Sequence, residues 1–521
     1  MAGAPAREPA LELALELVGI DKRFGAVHAN RAVDLSVAKG SIHGIVGENG
    51  AGKSTLMGIV YGYYAADAGT IRVDGKPVRI ASSQDAIAAG IGMVHQHFML
   101  VENFTVLENV LLGAEGGALL DKGEAAARAA LAALMADYGL EVDLDARIET
   151  LDVGAQQRVE ILKALYRGAR ILILDEPTAV LTPQEADALF RLLDAWRGQG
   201  RTVVLITHKL REILAATDRV TVMRQGAVVA TRDTSATSQE ELAELMVGRR
   251  VQLRVAKDGA APGAQVLRAA GLRYADARGV ERLRGVSLDV RAGEIVGIAG
   301  VSGNGQSELL EALAGLLPLA GGEIFYKGEK LAPPGTAAAS RAARLHGIAH
   351  VPEDRHRMGM VVGYSAAEST ILGYHGDGEL GLGPLLSNRA AVARTRRLMG
   401  AYDVRPAAPG LRSGNFSGGN QQKIVLGREI DRDPELLLIG QPTRGVDIGA
   451  IEFIHRRLVA LRDAGKAILL VSCELDEILA LADRILVMFD GRIVGELDRD
   501  RADERALGLM MAGIAPAAAA Q

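Results

Sequence analysis

Short runs of apolar residues alternate along this chain with longer stretches in which apolar residues recur every three or four positions. The apolar runs read IHGIVG, ILILDEP and TVVLITH in the first half and EIVGIAG, LLLIGQP and AILLVSC in the second half. Such runs are typical of parallel strands buried on both faces, and the spacing between them is typical of helices. Each half is therefore predicted to form a doubly wound α/β core.

The repetition of this pattern predicts two domains. A chain of 521 residues is too long for one core and fits two domains of about 250 residues. The predicted parts are a first domain at 12–250, a linker at 251–265 that lacks periodicity and holds Gly and Pro, a second domain at 266–514, and a disordered tail at 515–521.

Each α/β core is interrupted between its motifs. Residues 100–150 are rich in Ala and Leu and predict a helical subdomain inserted into the first core. In the second half, the Gly-rich stretch GYHGDGELGLGPLLSNR predicts a turn-forming insertion.

Composition excludes several classes of protein. The formal net charge is -5, from 59 basic and 64 acidic residues, so we expect no nucleic-acid partner. The basic cluster of Arg394, Arg396 and Arg397 is interpreted as a solvated helix face. Cys473 is the only cysteine, which excludes an internal disulfide framework and a cysteine-based metal cluster. No stretch approaches the roughly 18 consecutive apolar residues of a membrane span, and we expect neither a signal peptide nor a membrane helix at the N-terminus.

A glycine-rich phosphate loop follows the first apolar run. Residues 47–54 read GENGAGKS, a complete G-x-x-x-x-G-K-[ST] motif. Its glycines permit a tight turn that points backbone N–H groups at a polyphosphate, Lys53 can reach the β- and γ-phosphates, and Ser54 can offer its hydroxyl to Mg²⁺. A strand before the loop and a helix after it give the order that this chemistry requires.

The second half carries a broken copy of this loop. Residues 300–307 read GVSGNGQS, so Gln306 stands 253 positions after Lys53 and replaces it, while Ser307 keeps the hydroxyl. This loop has lost its positive charge and is expected to bind phosphate weakly at most.

Acidic residues end the next apolar run of the first half. Asp175 is positioned to hold Mg²⁺ through water, and Glu176 to polarise a water that attacks the γ-phosphate. His208, at the end of the following apolar run, can hydrogen-bond the γ-phosphate and that water. ATP and Mg²⁺ are thus the expected nucleotide and metal.

Taken in order, these motifs resemble the ATP-binding cassette (ABC) family over residues 12–512. The resemblance implies two tandem ABC ATPase (P-loop NTPase) domains, each a RecA-like α/β core with an inserted helical subdomain. The catalytic residues that it implies are Glu176, His208 and Gln96, and the implied metal-binding residues are Ser54, Gln96 and Asp175. The nucleotide-binding residues that it implies are Phe24, Gly47, Asn49, Gly50, Ala51, Gly52, Lys53, Ser54, Thr55, Ser417, Gly418, Gly419 and Asn420.

In this family two cassettes dimerise head to tail, so each ATP lies between the phosphate loop of one cassette and the signature motif of the other. The first loop would then face the signature NFSGGNQQK at 415–423, with Asp447 in the D-loop. The second loop would face the altered signature LDVGAQQR. The second composite site collects the departures from the family pattern, which are Gln306, Glu353, Gly440, Gln441, Cys473, Thr182, Asp152 and Ala155. The resemblance therefore implies one competent site and one site, around Ser307, that does not hydrolyse ATP.

Two fused cassettes without a membrane span look like the ATPase subunit of a carbohydrate-type importer. Segments such as HVPEDRHR and GQPTRGVDIGAIEFIH resemble nucleoside importers more than ribose or galactose importers, which remain the alternative. The resemblance implies two transmembrane permease subunits and, through them, an extracytoplasmic solute-binding protein as partners. It also implies a peripheral position on the cytoplasmic face of the cell membrane, with permease coupling near 96–106 and 353–369.

Two other classes of twin-cassette protein fit the sequence less well. ATPases that act on ribosomes normally have two competent sites and a long charged linker, whereas this linker has about 15 residues. Cassette ATPases of DNA repair carry zinc cysteines or long coiled coils, and this chain has one cysteine and no sustained heptads.

Overall fold

The chain divides into two compact units, Met1–Val251 and Gln252–Gln521. The structure, a computed structural model, describes residues 12–25, 27–95, 98–114, 120–178, 181, 183–251, 255–301, 303–376, 378–382 and 385–514.

The first unit is an α/β unit whose elements follow one another in the order predicted for the first half. Its strands and helices are β1 (Leu13–Phe24), β2 (Val27–Ala38), β3 (Ile42–Gly47), α1 (Lys53–Val60), β4 (Ala68–Val73), β5 (Lys76–Val78), α2 (Ser83–Ala88), β6 (Ile91–Val94), α3 (Val106–Leu111), α4 (Leu120–Tyr138), α5 (Val153–Tyr166), β7 (Ile171–Asp175), α6 (Pro183–Gly198), β8 (Thr202–Ile206), α7 (Leu210–Ala216), β9 (Arg219–Arg224), β10 (Ala227–Asp233) and α8 (Gln239–Val247).

Two sheets form the core of this unit. The six-stranded sheet has the order β10-β9-β3-β8-β7-β6, and the four-stranded sheet has the order β2-β1-β4-β5. Strands β3, β7 and β8 are buried along their whole length, which explains why they read as continuous apolar runs. Because β3 and β7 both pair in parallel with β8, their carboxyl ends meet at one edge of the sheet.

The helical insertion predicted at 100–150 lies between β6 and β7 and contains α3 and α4, and α5 follows it before β7. Thr105 and Glu108 form a reciprocal capping box at the start of α3. Helix α5 begins after Asp152, whose carboxylate accepts a hydrogen bond from the backbone N–H of Ala155. The insertion therefore leaves the order of the α/β core intact.

The second unit repeats this plan. Its strands and helices are β11 (Gln265–Ala275), β12 (Glu281–Arg291), β13 (Ile295–Ala299), α9 (Gln306–Leu313), β14 (Gly321–Tyr326), β15 (Glu329–Lys330), α10 (Ala337–Leu345), β16 (Ile348–Val351), α11 (Ala366–Ile371), β17 (Gly381–Leu382), β18 (Leu385–Leu386), α12 (Asn388–Ala401), α13 (Gly418–Ile430), β19 (Leu436–Gly440), α14 (Ile448–Asp463), β20 (Ala467–Ser472), α15 (Leu475–Leu481), β21 (Arg484–Phe489), β22 (Arg492–Asp498) and α16 (Glu504–Met511).

The sheets of the second unit have the same strand orders as those of the first. The larger sheet runs β16-β19-β20-β13-β21-β22 and the smaller one β12-β11-β14-β15, and a short β17-β18 hairpin lies in the Gly-rich insertion. The α/β fold class, with an inserted helical segment in each half, is confirmed. The predicted tail at 515–521 lies outside the described residues.

One surface prediction was wrong. Arg394, on α12, was assigned to a solvated face, but its side chain is only 5% exposed and lies 3.3 Å from the Asp431 carboxylate. Arg397, one turn later, is exposed. Spacing alone does not separate these two residues, because the face of α12 that is buried depends on where α11 and α13 pack.

The structure also bears on membrane insertion. Over the part of the chain that it describes, no helix combines the length and the apolar composition needed to cross a membrane.

Candidate functional site

The first phosphate loop connects the end of β3 to the start of α1. Gly52 adopts a left-handed conformation with φ 97°, and a Cβ atom there would lie 2.3 Å from the carbonyl oxygen of Ala29. Gly47 has an ordinary φ, but a Cβ atom on it would lie 2.4 Å from the carbonyl oxygen of Met223. Both positions therefore require glycine, for conformation and close approach at Gly52 and for close approach alone at Gly47.

The remaining loop residues complete the turn. Gly50 is also left-handed, with φ 82°, and Asn49 beside it is exposed. Ala51 is buried, and its carbonyl oxygen accepts a hydrogen bond from the N–H of Gly226 at 3.1 Å. Thr55, in the first turn of α1, is half-buried. The loop is thus fixed by contacts with β9–β10 while its tip remains open to solvent.

Lys53 is buried at the first position of α1. Its Nζ donates to the carbonyl oxygens of Gly47 at 2.7 Å and Glu48 at 3.1 Å, so the ammonium lies across the loop. Burial lowers the pKa of Lys53, and the charges of Glu176 and Asp175 act in the opposite direction. The ammonium and the two carboxylates are therefore close enough to interact electrostatically.

Asp175 ends β7 and is almost fully buried. Burial raises its pKa, whereas a hydrogen bond from the hydroxyl of Ser54 lowers it. A serine hydroxyl next to a carboxylate supplies the oxygen ligands that Mg²⁺ prefers, so these two residues fit a magnesium site.

Glu176 follows directly and pairs with His208. Its backbone has φ 49°, an uncommon conformation for a residue with a side chain. Nδ1 of His208 lies 3.0 Å from Oε1 of Glu176. Burial on its own would raise the pKa of Glu176, but the hydrogen bond from His208 and the positive charges nearby outweigh it and lower the pKa. Glu176 is therefore held in its ionised form.

The aromatic residue expected beside the adenine is accessible. Phe24 ends β1 and is 43% exposed. The ring of Tyr64 meets it edge to face, with the centroids 5.2 Å apart, and Lys22 Nζ lies 5.3 Å from the Phe24 centroid. Sequence reasoning missed Tyr64, although the run GYY directly after α1 is a signal for it.

Further supporting residues were also missed. Asn30 is fully buried and donates to the carbonyl oxygen of Gly52 at 3.1 Å, which fixes the end of the loop. Gln157, on α5, is buried and donates to the carbonyl oxygen of Pro177 at 2.8 Å, which links the signature helix to the acidic strand end. Gln96 and Thr182 lie outside the described residues.

The second phosphate loop enters its helix with the same backbone conformation as the first. Gly305 precedes α9 with φ 101° and ψ 2°, against φ 97° and ψ 4° at Gly52. Gln306 is buried in the position of the lysine, and its Nε2 donates to the carbonyl oxygen of Val301 at 3.0 Å. The loop has therefore kept its shape and lost its ammonium group.

The residues that correspond to Glu176 and His208 are also replaced in the second unit. Gln441 has φ 47°, and its Nε2 lies 2.9 Å from the sulfur of Cys473. An amide and a thiol thus occupy the places of the carboxylate and the imidazole.

The hydroxyl of the second loop has a carboxylate partner. Ser307 donates to Oε2 of Glu353 at 2.6 Å, and Gly440 ends β19. Burial raises the pKa of Glu353.

The two signature helices begin differently. In the second unit Ser417 precedes α13 and makes no capping bond with its side chain; its Oγ accepts from Nδ2 of Asn420 at 2.8 Å. A Cβ on Gly418 would lie 2.7 Å from the carbonyl oxygen of Gly445, and a Cβ on Gly419 would lie 2.8 Å from Oδ2 of Asp447. Both glycines are therefore required by the close approach of the segment 445–447, and the exposed Ser417 leaves its side chain out of the helix cap.

In the first unit Asp152 takes the place of that serine. Its Oδ1 accepts from the N–H of Ala155 at 2.6 Å, so the carboxylate caps its own helix. The altered signature is thus a well-formed helix start that presents a negative charge.

Comparison with known proteins places this geometry in a family. A sequence model of the ABC transporter family matches residues 30–179 and 283–444. A guanosine import ATP-binding protein, NupO of Bacillus subtilis (strain 168), is 47% identical over 504 residues, which cover 96% of this chain and 98% of that protein.

Two other relatives are similar over the same extent. A nucleoside import ATP-binding protein, NupA of Lactococcus lactis subsp. cremoris (strain MG1363), is 45% identical and covers 96% of this chain and 98% of its own. A glucose import ATP-binding protein, TsgD13 of Haloferax volcanii, is 46% identical and covers 96% of each chain. With the family's cassette present in both units, the chain belongs to the ABC transporter family.

Proposed function

We propose that the chain is the ATP-hydrolysing subunit of an ABC importer for nucleosides, with one competent ATP site. The observation that carries the proposal is the cluster formed by Lys53, Ser54, Asp175, Glu176 and His208 in the first unit. Lys53 supplies positive charge to the β- and γ-phosphates, and the loop N–H groups hold them in place.

Ser54 and Asp175 would hold Mg²⁺, with Gln96 as a further ligand. When bound, the ion neutralises charge that develops on the phosphate oxygens. Glu176 is ionised and lies beside His208, so it accepts a hydrogen bond from the attacking water and orients that water toward the γ-phosphate. His208 fixes the carboxylate of Glu176 and reaches the γ-phosphate.

The competent site is composite in this proposal. Ser417, Gly418, Gly419 and Asn420 of the second unit would close over the ATP held by the first unit, with Ser417 donating to the γ-phosphate. The support is that Ser417 is exposed and makes no capping bond with its side chain, whereas Asp152 at the matching position of the first unit caps its own helix. Phe24 would stack on the adenine.

The second site is proposed not to hydrolyse ATP. Gln306 brings no charge, Gln441 is a poor base, and Cys473 replaces the histidine. Asp152 would add a negative charge opposite the phosphate, which costs on the order of 4 kcal/mol at about 4 Å and an effective dielectric of about 20.

The solute is proposed to be a nucleoside, because two relatives that match nearly the whole chain are described as guanosine and nucleoside import proteins. A simple sugar is the second candidate, since an equally extensive relative is described as a glucose import protein. The partners would be two transmembrane permeases and, through them, an extracytoplasmic solute-binding protein. The chain would then lie on the cytoplasmic face of the membrane.

Reconstitution tests this proposal. The chain is purified with candidate permease subunits, placed in proteoliposomes, and supplied with the solute-binding protein loaded with guanosine, adenosine, ribose or glucose. We expect nucleosides to stimulate ATP hydrolysis and uptake. Stimulation by sugars alone would establish the second candidate, and hydrolysis that requires neither permease nor solute-binding protein would contradict a role in import.

A further inference from the structure

The serine that ends each phosphate loop, Ser54 or Ser307, lies beside a carboxylate. The two carboxylates follow different strands in the two units. In the first unit the hydroxyl of Ser54 lies close enough to Asp175, the last residue of β7, to lower the pKa of that carboxyl against the effect of burial. In the second unit Ser307 donates to Oε2 of Glu353 at 2.6 Å, and Glu353 follows β16 instead. The pair has therefore been kept while the acid has moved.

The topology explains how the acid can move. Strands β16 and β19 are parallel neighbours, with Val351 paired to Ile439, so they end at the same edge of the sheet. Glu353 lies two residues beyond this end of β16, and Gly440 closes β19. A side chain from either position can thus approach the serine.

Glu353 and a side chain at position 440 exclude each other. A Cβ atom built on Gly440 would lie 2.4 Å from Cγ of Glu353 and 2.8 Å from Cδ1 of Leu310. An aspartate at the end of β19 would therefore collide with Glu353 as it now lies. Gly440 therefore does two things: it removes the acid from the end of β19, and it leaves the space that Glu353 now occupies.

The loop itself remains suited to phosphate. Gly303 and Gly305 are left-handed, as Gly50 and Gly52 are in the first loop, and α9 starts at the same point of the motif as α1. Gln306 donates its amide to the carbonyl oxygen of Val301, which corresponds to Glu48, whose carbonyl oxygen accepts from Lys53 in the first unit. The two glycines therefore keep the left-handed turns with which the intact loop points its N–H groups at phosphate.

We propose that Glu353 has replaced the strand-end aspartate as the acidic partner of Ser307, and that this pair retains a magnesium–nucleotide complex at a site that does not hydrolyse it. The inference rests on the proposed nucleotide chemistry of the family and deepens it for the second unit. Magnesium is commonly held by one or two carboxylates together with phosphates of the nucleotide, so one relocated acid is sufficient. Because Gln441 and Cys473 supply no base, the second site would bind the nucleotide without hydrolysing it.

Photolabelling distinguishes the two sites in the full-length chain. The protein is irradiated with 8-azido-ATP in Mg²⁺ or in EDTA, and labelled peptides are assigned to residues before or after the division at Val251. We expect label in both units in Mg²⁺ and a loss of label from the second unit in EDTA. In Glu353→Gln, which keeps an acceptor for Ser307, labelling of the second unit in Mg²⁺ should require about tenfold more nucleotide, whereas the first unit should be unchanged.

Three further variants control this result. Glu311→Gln removes a carboxylate of α9 that is not the partner of Ser307, so both units should be labelled as before. Gly440→Asp combined with Glu353→Ala removes the colliding Cγ and returns the acid to the strand end, so it should keep Mg²⁺-dependent labelling of the second unit, whereas Gly440→Asp alone should lower the melting temperature because of the collision with Glu353. The double variant tests the same idea even if the single variant unfolds.

The outcomes separate the two levels of the argument. Labelling of the first unit without any label in the second, or labelling of the second unit that is the same in Mg²⁺ and EDTA or unaffected by Glu353→Gln, would overturn this inference alone. The absence of label from the first unit would overturn the proposed function itself.

Discussion

The carboxylate of Glu176 lies 3.0 Å from Nδ1 of His208, and the two residues follow adjacent parallel strands of one sheet. The second unit keeps the same pairing between Gln441 and Cys473, at 2.9 Å, with the same unusual backbone conformation at the first residue. Position and contact are thus preserved while the charge is lost. The fold therefore fixes where this pair lies, and the side-chain chemistry decides whether it can activate water.

Glu176→Gln and Lys53→Ala should impair the first site at different steps. The glutamine is isosteric and cannot act as a base, so ATP should bind normally while turnover falls at least about 100-fold. Lys53→Ala removes the charge that lies over the loop and should weaken ATP binding itself. Equilibrium binding of ATP, measured beside steady-state phosphate release, separates the two effects. Turnover above about a tenth of the wild-type rate in Glu176→Gln would count against its assignment.

His208 should act together with Glu176 and not independently. His208→Ala removes the hydrogen bond that fixes the carboxylate, and turnover should fall while ATP affinity changes little. Residues that act as a unit are strongly non-additive, so the double variant with Glu176→Gln should be no slower than Glu176→Gln alone. Single-turnover hydrolysis of the four proteins measures this. Multiplicative losses would show that the two side chains contribute to separate steps.

The sequence predicted the parts of the fold that depend on local patterns. The strand, loop and helix around Lys53 follow from an apolar run, three glycines and a helical spacing, and the repeat predicted the same order around Gln306. The six-stranded order of the sheets and the pairing of Ser307 with Glu353 depend on contacts between distant segments. The sequence showed that Glu353 stands at the second-unit position that corresponds to Gln96. It did not show that Glu353 would collide with a side chain at position 440.

The burial of Arg394 was missed for the same reason. Helix α12 carries a basic cluster that reads as a solvated face, and only the packing of neighbouring helices decides which arginine is covered. Asn30 and Gln157 were missed because a single polar residue within a strand or helix carries no signal until its partner carbonyl is known.

Ser417→Asp should abolish turnover, whereas Asp152→Ser should change it little. The stability of the helix start should not confound the comparison, because Asp152 already caps α5 and an aspartate at position 417 is expected to cap α13 equally well. Ser417→Asp would place a negative charge opposite the phosphate of the competent site, whereas Asp152→Ser only repairs a site that lacks a base. Phosphate release and melting temperature are measured for both variants. Equal loss of turnover from Ser417→Asp and Gln306→Ala would show that both sites hydrolyse ATP.

His43 should make the stability of the first unit depend on pH. It lies in β3, is 1% exposed, and its Nε2 is 2.8 Å from Oγ1 of Thr221. Burial, with a smaller effect from the charge of Arg219, lowers its pKa from 6.5 to about 4. Between these values the unfolded chain binds a proton that the folded unit does not, so stability is full above about pH 6.5 and falls as the pH drops toward 4. The difference corresponds to about 3 kcal/mol.

Trp196, the only tryptophan in the chain, is buried in the first unit and reports its unfolding. Urea titrations followed by its fluorescence at pH 7, 6, 5 and 4 should therefore show a steady loss of stability. His43→Gln keeps a partner for Thr221 without a titrating group, so its profile should be flatter by up to one proton over this range, even if it is less stable at pH 7. His375→Gln, at an exposed histidine of the second unit, should leave the profile unchanged. Parallel profiles for wild type and His43→Gln would show that the His43 imidazole binds protons equally in the folded and unfolded chains, so that it does not couple folding to pH.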